Sequence, residues 1–204
     1  MEKMGKLPKD KQILRRKGMT LIEIMIILAL VTIMVSLGYY SLRRGLVRQR
    51  IRGAYAQLKS DIIYLRQRTF ATSQYMGVIP SSSRTGYQFV VLDSLPAYLT
   101  VQKEIKLPPG VKFGNIFERD VSGGGIDGSL LPADGVYTKG LNLPAGVPDS
   151  ADNWVLFTPR GTLAWGEKKY IYITNGVDMY GLRINIWGKV DAFVYSGGGW
   201  SELR

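Results

Sequence analysis

The chain contains one long stretch without charge, from Ile24 to Leu42. Coiled as a helix at ~1.5 Å per residue, this stretch reaches roughly 28 Å, close to the ~30 Å hydrocarbon core of a bilayer. A secretory signal peptide has a shorter apolar core, about 7–15 residues, closed by a small-x-small cleavage site. No such site closes this run. The pattern therefore predicts a transmembrane helix.

Beyond this run, apolar residues recur at steps of three and four, which is typical of a helix with one buried face. Basic residues follow several of them by one position and form a second stripe about 100° away. No proline occurs from Met19 to Met76. We predict one helix from about Met19 to about Ser73, whose second half packs on the rest of the protein. The apolar stripe is Val47, Ile51, Tyr55, Leu58, Ile62 and Leu65, and the basic stripe is Arg48, Arg52, Lys59 and Arg66.

After Ser73 the pattern changes to short β-rich runs separated by turn residues. This predicts an α+β fold in which a long N-terminal helix packs on an antiparallel β-sheet head. The runs at 170–174 and 182–187 suggest a hairpin, in which Ile171, Ile173, Ile184 and Ile186 alternate as a half-buried sheet requires. The predicted strands are Tyr75–Ile79, Tyr87–Leu92, Tyr98–Ile105, Trp154–Phe157, Tyr170–Thr174, Leu182–Trp187 and Val190–Tyr195.

The segment Val121–Asp152 has little pattern and is rich in glycine and proline, so we interpret it as a long surface loop. Its neighbourhood contains five aspartates that could suggest a calcium site. Their spacing matches no calcium-loop pattern, and aspartate beside glycine or proline stabilises turns. We therefore favour turns and expect no metal or other cofactor. The aspartates are Asp120, Asp127, Asp134, Asp149 and Asp152.

The formal net charge of +11 is concentrated in residues 1–18 and 43–68. From Thr69 to Arg204 acidic and basic residues balance. Basic residues beside a membrane span are expected to meet anionic lipid headgroups. The remainder has no overall field that would attract DNA.

The chain has no cysteine and no histidine. This excludes disulfides and thiolate chemistry and removes the most common general base and metal ligand. No pattern places a nucleophile beside a base, so we do not expect an enzyme. The four tryptophans are expected to pack in the core and in cross-strand pairs, and Trp200, near a glycine-rich tail, is the one most expected to be exposed.

The segment Lys17-Gly-Met-Thr-Leu-Ile-Glu23 and the apolar run behind it resemble the processing site of type IV prepilins. The resemblance implies that a prepilin peptidase cleaves after Gly18 and methylates Met19. It also implies that Glu23 pairs with the free amino group of a neighbouring subunit, within the assembly segment formed by Thr20, Leu21, Ile22 and Glu23. A carboxylate at the edge of an apolar helix is otherwise costly, and snorkelling to the headgroups is the simpler alternative.

Three later segments resemble, in order, the head motifs of GspH/FimT-type pseudopilins. They are Leu107-Pro-Pro-Gly-Val-Lys-Phe113, Phe157-Thr-Pro-Arg-Gly161 and Tyr180-Gly-Leu-Arg-Ile-Asn-Ile-Trp-Gly-Lys-Val190. Major pilins usually have proline where this chain has Tyr40, and many carry a C-terminal disulfide that this chain cannot form. These departures favour a minor pseudopilin or minor pilin over a bulk filament subunit.

The resemblance implies four regions: a cleaved cytoplasmic leader (1–18), a transmembrane half-helix (19–42), an amphipathic half-helix (43–73) and a periplasmic or extracellular β-rich head (74–204). We expect an inner-membrane subunit, with its N-terminus in the cytoplasm, that joins other pseudopilins at the tip or initiation complex of a type II secretion pseudopilus. The alternative is a minor pilin of a type IV pilus, including one that binds DNA. The candidate DNA contacts are Arg183, Lys189 and Arg204.

Overall fold

The computed structural model describes residues 19–92, 99–139 and 153–203. The chain divides into two compact units, 1–43 and 44–204. One helix, α1 (Leu21–Thr72), begins in the first unit and ends in the second. The strands of the described residues are β1 (Tyr75–Pro80), β2 (Gly86–Leu92), β3 (Leu99–Lys106), β4 (Lys112–Phe113), β5 (Val136–Lys139), β6 (Val155–Phe157), β7 (Lys168–Thr174), β8 (Met179–Asn185), β9 (Val190–Ser196) and β10 (Gly199–Glu202).

The strands form two antiparallel sheets, whereas the sequence led us to expect one. The first sheet has the order β3-β2-β1-β6. The second has the order β10-β9-β8-β7-β4, and β5 also pairs with β7. The predicted α+β class is confirmed, and the sheets are joined by the core that they share with the helix.

The second half of α1 buries the predicted apolar stripe from Ile51 to Leu65, whereas Val47, its first member, is only half-buried. Ile51 and Ile62 are fully buried, and Leu58 and Leu65 are 1% exposed. They belong to one core cluster that includes residues from the first sheet, such as Val78, and from the second. Burying a side chain of this size contributes about 1.5–3 kcal/mol. The stripe therefore fixes the helix against both sheets.

Both ends of α1 have local capping contacts. At the start, the backbone N–H of Glu23 donates to the Thr20 hydroxyl at 3.3 Å, as an N-cap residue provides. At the end, Ser73 adopts a left-handed conformation with φ 54°, and its N–H donates to the carbonyl of Thr69 at 2.9 Å. The helix therefore begins two residues after the predicted start and ends one residue before the predicted end.

The predicted hairpin is confirmed as β7 and β8, which pair in the register Ile171↔Leu182 and Ile173↔Tyr180. The prediction that Ile186 continues the half-buried alternation is wrong. Strand β8 ends at Asn185, and Ile186 is 45% exposed. A tight turn follows, in which Gly188 donates its N–H to the carbonyl of Asn185 at 2.8 Å.

The prediction of one long surface loop is wrong for the described residues 121–139. Val121 and Leu131 form an isolated β-bridge, residues 126–128 form a 3₁₀ turn, and strand β5 follows. Ile126 and Leu131 are buried in a small cluster with Tyr172. Ile126 and Leu131 lie five residues apart and fit neither the helix nor the strand period, although both side chains are buried. Residues 140–152 of the predicted loop lie outside the described residues, as does Tyr98 of a predicted strand.

Two tryptophans differ in exposure from what we expected. Trp200 is half-buried: its indole N–H donates to the carbonyl of Gly124 at 2.9 Å, and its ring lies 5.3 Å from that of Tyr172. Trp187 is 70% exposed instead, because it sits in the turn after β8. Trp200 therefore belongs to β10, at the edge of the second sheet, and its indole packs against that sheet.

Candidate assembly site

The N-terminal segment presents its side chains to solvent in the isolated chain. Gly18 lies outside the described residues, and Met19 and Thr20 precede the helix. Leu21 and Ile22 are 78% and 66% exposed. Glu23 lies in the first turn of α1, where a negative charge interacts favourably with the helix dipole. Within the described residues its carboxylate forms no ion pair.

The helix behind this segment is apolar on all sides. Residues 21–39 have a mean hydropathy of 2.6, are not buried within the protein, and are long and apolar enough to cross a membrane. The hydroxyl groups of Thr32 and Ser36 are satisfied inside the helix, because Thr32 donates to the carbonyl of Leu28 and Ser36 donates to that of Thr32, each at 2.8 Å. A helix that is apolar all round needs a lipid or protein environment.

Two residues of the basic stripe of α1, Arg52 and Arg66, form hydrogen bonds with the head. Arg52 donates from Nε to the hydroxyl of Tyr180 at 3.1 Å. Arg66 donates to the carbonyls of Gly161 and Trp187 at 3.0 and 2.8 Å. These bonds arise because the stripe lies beside the buried apolar face. They connect the helix to the second sheet and to the turn after β6.

Two of the head motifs meet at Arg66. Gly161 ends the Phe-Thr-Pro-Arg-Gly turn, and Gly188 forms the turn after β8, with φ 67° and 75°. A Cβ at Gly161 would overlap the ring of Phe70, and one at Gly188 would overlap the Arg66 side chain and the Gly161 carbonyl. Both positions therefore need glycine for conformation and for space.

The third motif is also structural. In the Pro108-Pro-Gly-Val111 segment, Gly110 has φ 85°, and the N–H of Val111 donates to the carbonyl of Pro108 at 3.0 Å. Val111 is 3% exposed. The turn leads the chain into β4 at the edge of the second sheet.

The candidate DNA contacts are paired with carboxylates. Arg183 donates to both oxygens of Asp127 at 2.9 and 2.8 Å and to Asp191 at 2.9 Å. Lys189 lies 2.8 Å from Asp191. Partial burial opposes ionisation of Asp191, but hydrogen bonds from Lys189 and Arg183 outweigh it and hold the pKa of that carboxyl below its usual value. Arg204 lies outside the described residues. The described pair offers little uncompensated charge to phosphate.

Asp134 has the predicted turn role, because it accepts from a backbone N–H two residues on, whereas Asp120 accepts from a backbone N–H thirteen residues away. Asp120 accepts from the N–H of Ala133 at 2.8 Å, and Asp134 accepts from that of Val136 at 3.2 Å. Asp127 is different, because it forms ion pairs with Arg183 and Lys168. In the part of the chain that the structure describes, no group of three or more acidic side chains could hold a metal ion. Asp149 and Asp152 lie outside that part.

One polar contact was missed by sequence reasoning. Tyr87 is fully buried in β2, and its hydroxyl donates to Asp61 of α1 at 2.5 Å. Burial and the neighbouring carboxylate both raise the pKa of Tyr87 far above its usual value. Asp61 is the only acidic residue between Glu23 and Thr72. The isolation of Asp61 among basic residues was the only feature of the sequence that could have indicated this contact.

Comparison with known proteins agrees with this N-terminus. Residues 13–39 match the family described as the prokaryotic N-terminal methylation motif. No curated protein matches the sequence. Among solved structures, the minor pseudopilin EpsH from the type 2 secretion system of Vibrio cholerae is similar, with a TM-score of 0.43 and 9% identity over 72% of this chain and 98% of that chain. The N-terminal region of this chain therefore carries a prokaryotic N-terminal methylation motif and an apolar helix.

Proposed function

We propose that this protein is a minor pseudopilin of the GspH/FimT type. The leader, residues 1–18, is removed by a prepilin peptidase that cuts after Gly18 and methylates Met19. The mature helix is held in the inner membrane with the head, residues 74–204, in the periplasm. The subunit then joins the tip or initiation complex of a type II secretion pseudopilus, where it takes part in protein secretion.

The observation that carries this proposal is the methylation motif, within which the Glu23 carboxylate lies in the first turn of an apolar helix. Cleavage after Gly18 would leave a positive amino group on Met19, four residues before Glu23. A buried charge is costly unless it is paired. A helix that carries one acid and one new amine can satisfy both by packing beside a second processed helix, which selects and aligns the incoming subunit.

The glycine-rich turns of the head support the assignment to the GspH/FimT type. Their glycines lie where α1 meets the second sheet, so the motifs describe how a head is fixed to its helix rather than a catalytic site. This arrangement supports a role as a structural subunit.

Glu23→Ala tests the proposal in the native host. The variant should insert and be cleaved normally but should be incorporated poorly into filaments, as measured by cross-linking between subunits. Because the chain lacks cysteine, single cysteines can be introduced as cross-linking points without background. Glu104→Ala on β3 is the control and should assemble normally. Equal incorporation of both variants would contradict the pairing of Met19 with Glu23.

A gene deletion in the native host distinguishes a type II secretion system from a type IV pilus. Deleting the gene should abolish protein secretion and leave surface pili intact if the subunit belongs to a type II system. Loss of pili with normal secretion would assign it to a type IV pilus instead.

A further inference from the structure

Three large apolar side chains are exposed around the turn that follows β8. Phe70 is 53% exposed near the end of α1, and Ile186 and Trp187 are 45% and 70% exposed in the turn itself. Single exposed apolar residues are common on protein surfaces, but a contiguous group of large ones marks an interaction site.

Arg66 joins these side chains into one surface. Its guanidinium donates to the carbonyls of Trp187 and Gly161 at 2.8 and 3.0 Å and lies 5.8 Å from the centre of the Phe70 ring. A Cβ built on Gly161 would overlap the Phe70 ring, and one built on Gly188 would overlap the Gly161 carbonyl. The end of α1, the turn after β6 and the turn after β8 are therefore in direct contact. We call their exposed surface the aromatic patch, formed by Phe70, Arg160, Ile186 and Trp187.

Local hydrogen bonds hold the two turns of the aromatic patch. In the turn after β8, Asn185 accepts the backbone N–H of Gly188 with its carbonyl at 2.8 Å and that of Lys189 with its side chain at 2.9 Å. In the turn after β6, the carbonyl of Thr158 accepts the N–H of Gly161 at 2.8 Å. A surface that is already ordered loses little conformational entropy when it binds a partner. The patch is therefore pre-organised for binding.

The charge around the aromatic patch is positive. The three segments that form it contain two, one and two basic residues and no acidic one. Arg183 and Lys189 are paired with aspartates, and Arg66 is bonded to carbonyls. Arg160 is exposed and forms no ion pair within the described residues. The patch therefore offers an uncompensated guanidinium beside exposed aromatic rings. The three segments are 62–80, 154–166 and 179–190.

This combination favours a protein partner over a nucleic acid or a second copy of the chain. A nucleic acid needs several uncompensated cations for its phosphates, whereas most of those near the patch are already bonded. A second copy would bring the same positive charge to a symmetric contact, which is unfavourable. Tryptophan and arginine are among the residue types that most often dominate the binding energy at protein interfaces.

We propose that the aromatic patch is the docking surface for another protein, through a segment in which a carboxylate lies beside an apolar side chain. The apolar side chain packs on Phe70 and Trp187, and Arg160 donates to the carboxylate, which a guanidinium can bind with two hydrogen bonds. The patch consists of head residues only. The proposal therefore goes beyond assembly through the N-terminal helix and does not depend on it.

The test uses the full chain in its native host, with the photoreactive amino acid p-benzoylphenylalanine at one position at a time. Position 186 lies within the aromatic patch. Position 177, in the β7–β8 turn, is the control, because Val177 is 74% exposed and lies outside the patch. After irradiation we expect an adduct with another protein from position 186 but not from position 177. Mass spectrometry should place the cross-link beside an aspartate or glutamate of that protein.

Two variants carrying the label at position 186 test the chemistry of the contact. Trp187→Ala and Arg160→Glu should each lose most of the adduct. Both should accumulate in membranes at the level of the parent protein, because both side chains are exposed. Arg119→Glu is the matched control, since Arg119 is an exposed arginine after β4 and outside the patch. It should keep the adduct.

Several results would overturn the proposal. They are an adduct from position 186 no stronger than that from position 177, an adduct with lipid, nucleic acid or a second copy of the chain, and an adduct that Arg160→Glu weakens no more than Arg119→Glu. The mass of the N-terminus in the same sample tests the proposed function separately. An unprocessed chain that still forms the adduct would refute the processing and support the docking surface.

Discussion

Replacing Tyr87 with phenylalanine removes one hydroxyl and leaves the ring in place. In the folded protein this hydroxyl donates to the Asp61 carboxylate at 2.5 Å, and Tyr87 is fully buried. A hydrogen bond to a charged group contributes about 1.5–3 kcal/mol. Because Asp61 is only half-buried and water can reach it, we expect a loss of about 1.5–2 kcal/mol.

Thermal unfolding of residues 44–204, followed by circular dichroism, measures this loss. For a unit of this size, 1 kcal/mol corresponds to about 2–4 °C in Tm, so the variant should melt about 3–8 °C lower. Tyr64→Phe is the control, because Tyr64 is 49% exposed and its hydroxyl has only a 3.5 Å contact with Arg68. It should change stability by less than about 0.5 kcal/mol.

A double-mutant cycle with Asp61→Ala, which removes the acceptor, identifies the pair as the cause. The two substitutions should be non-additive, because either one alone removes the interaction between the residues. If Tyr87→Phe melts within 1 °C of the parent protein, the contact does not fix α1 to the first sheet and the reasoning is refuted.

Three further predictions concern stability and processing. Burial raises the pKa of Tyr172 to about 12 and raises that of Tyr55 as well, so their folded pKa lies above the ordinary value near 10. The free energy of unfolding should be retained below about pH 10 and should fall as the pH rises above it. An equal urea midpoint at pH 9 and pH 11 would contradict this prediction. Gly188→Ala should lower the free energy of unfolding of residues 44–204, measured in urea, by more than Gly197→Ala does. Both glycines have positive φ, which alone costs alanine about 1–2 kcal/mol, but only at Gly188 does a Cβ also lack space. Equal losses in the two variants would refute the crowding at Gly188. Gly18→Ala should leave uncleaved precursor on an immunoblot of membranes, and a normal mature mass would contradict the proposed processing.

The features that the sequence predicts well are periodic or contiguous. The apolar stripe from Ile51 to Leu65 repeats with the helix, so its burial follows from spacing alone. The β7–β8 hairpin is signalled by two β-rich runs around Asn175-Gly176. The prepilin-like N-terminus is a local motif, and it matches a known family on residues that lie together in the chain.

The features that escaped prediction depend on residues far apart in the chain. Asp61 and Tyr87 belong to different elements, and Arg183 reaches Asp127 across more than fifty residues. The division into two sheets depends on which strands pair with one another, and the composition of the strands does not determine that pairing. Buried Ile126 and Leu131 lie five residues apart in a glycine-rich segment and therefore leave no periodic signal.

The mass of the N-terminus tests the central proposal most directly. Protein purified from membranes of its native host should begin at Met19 and carry one methyl group on its amino nitrogen. Intact Met1 on the membrane-bound protein would contradict the proposal, because the amine that is to neutralise Glu23 would then never form.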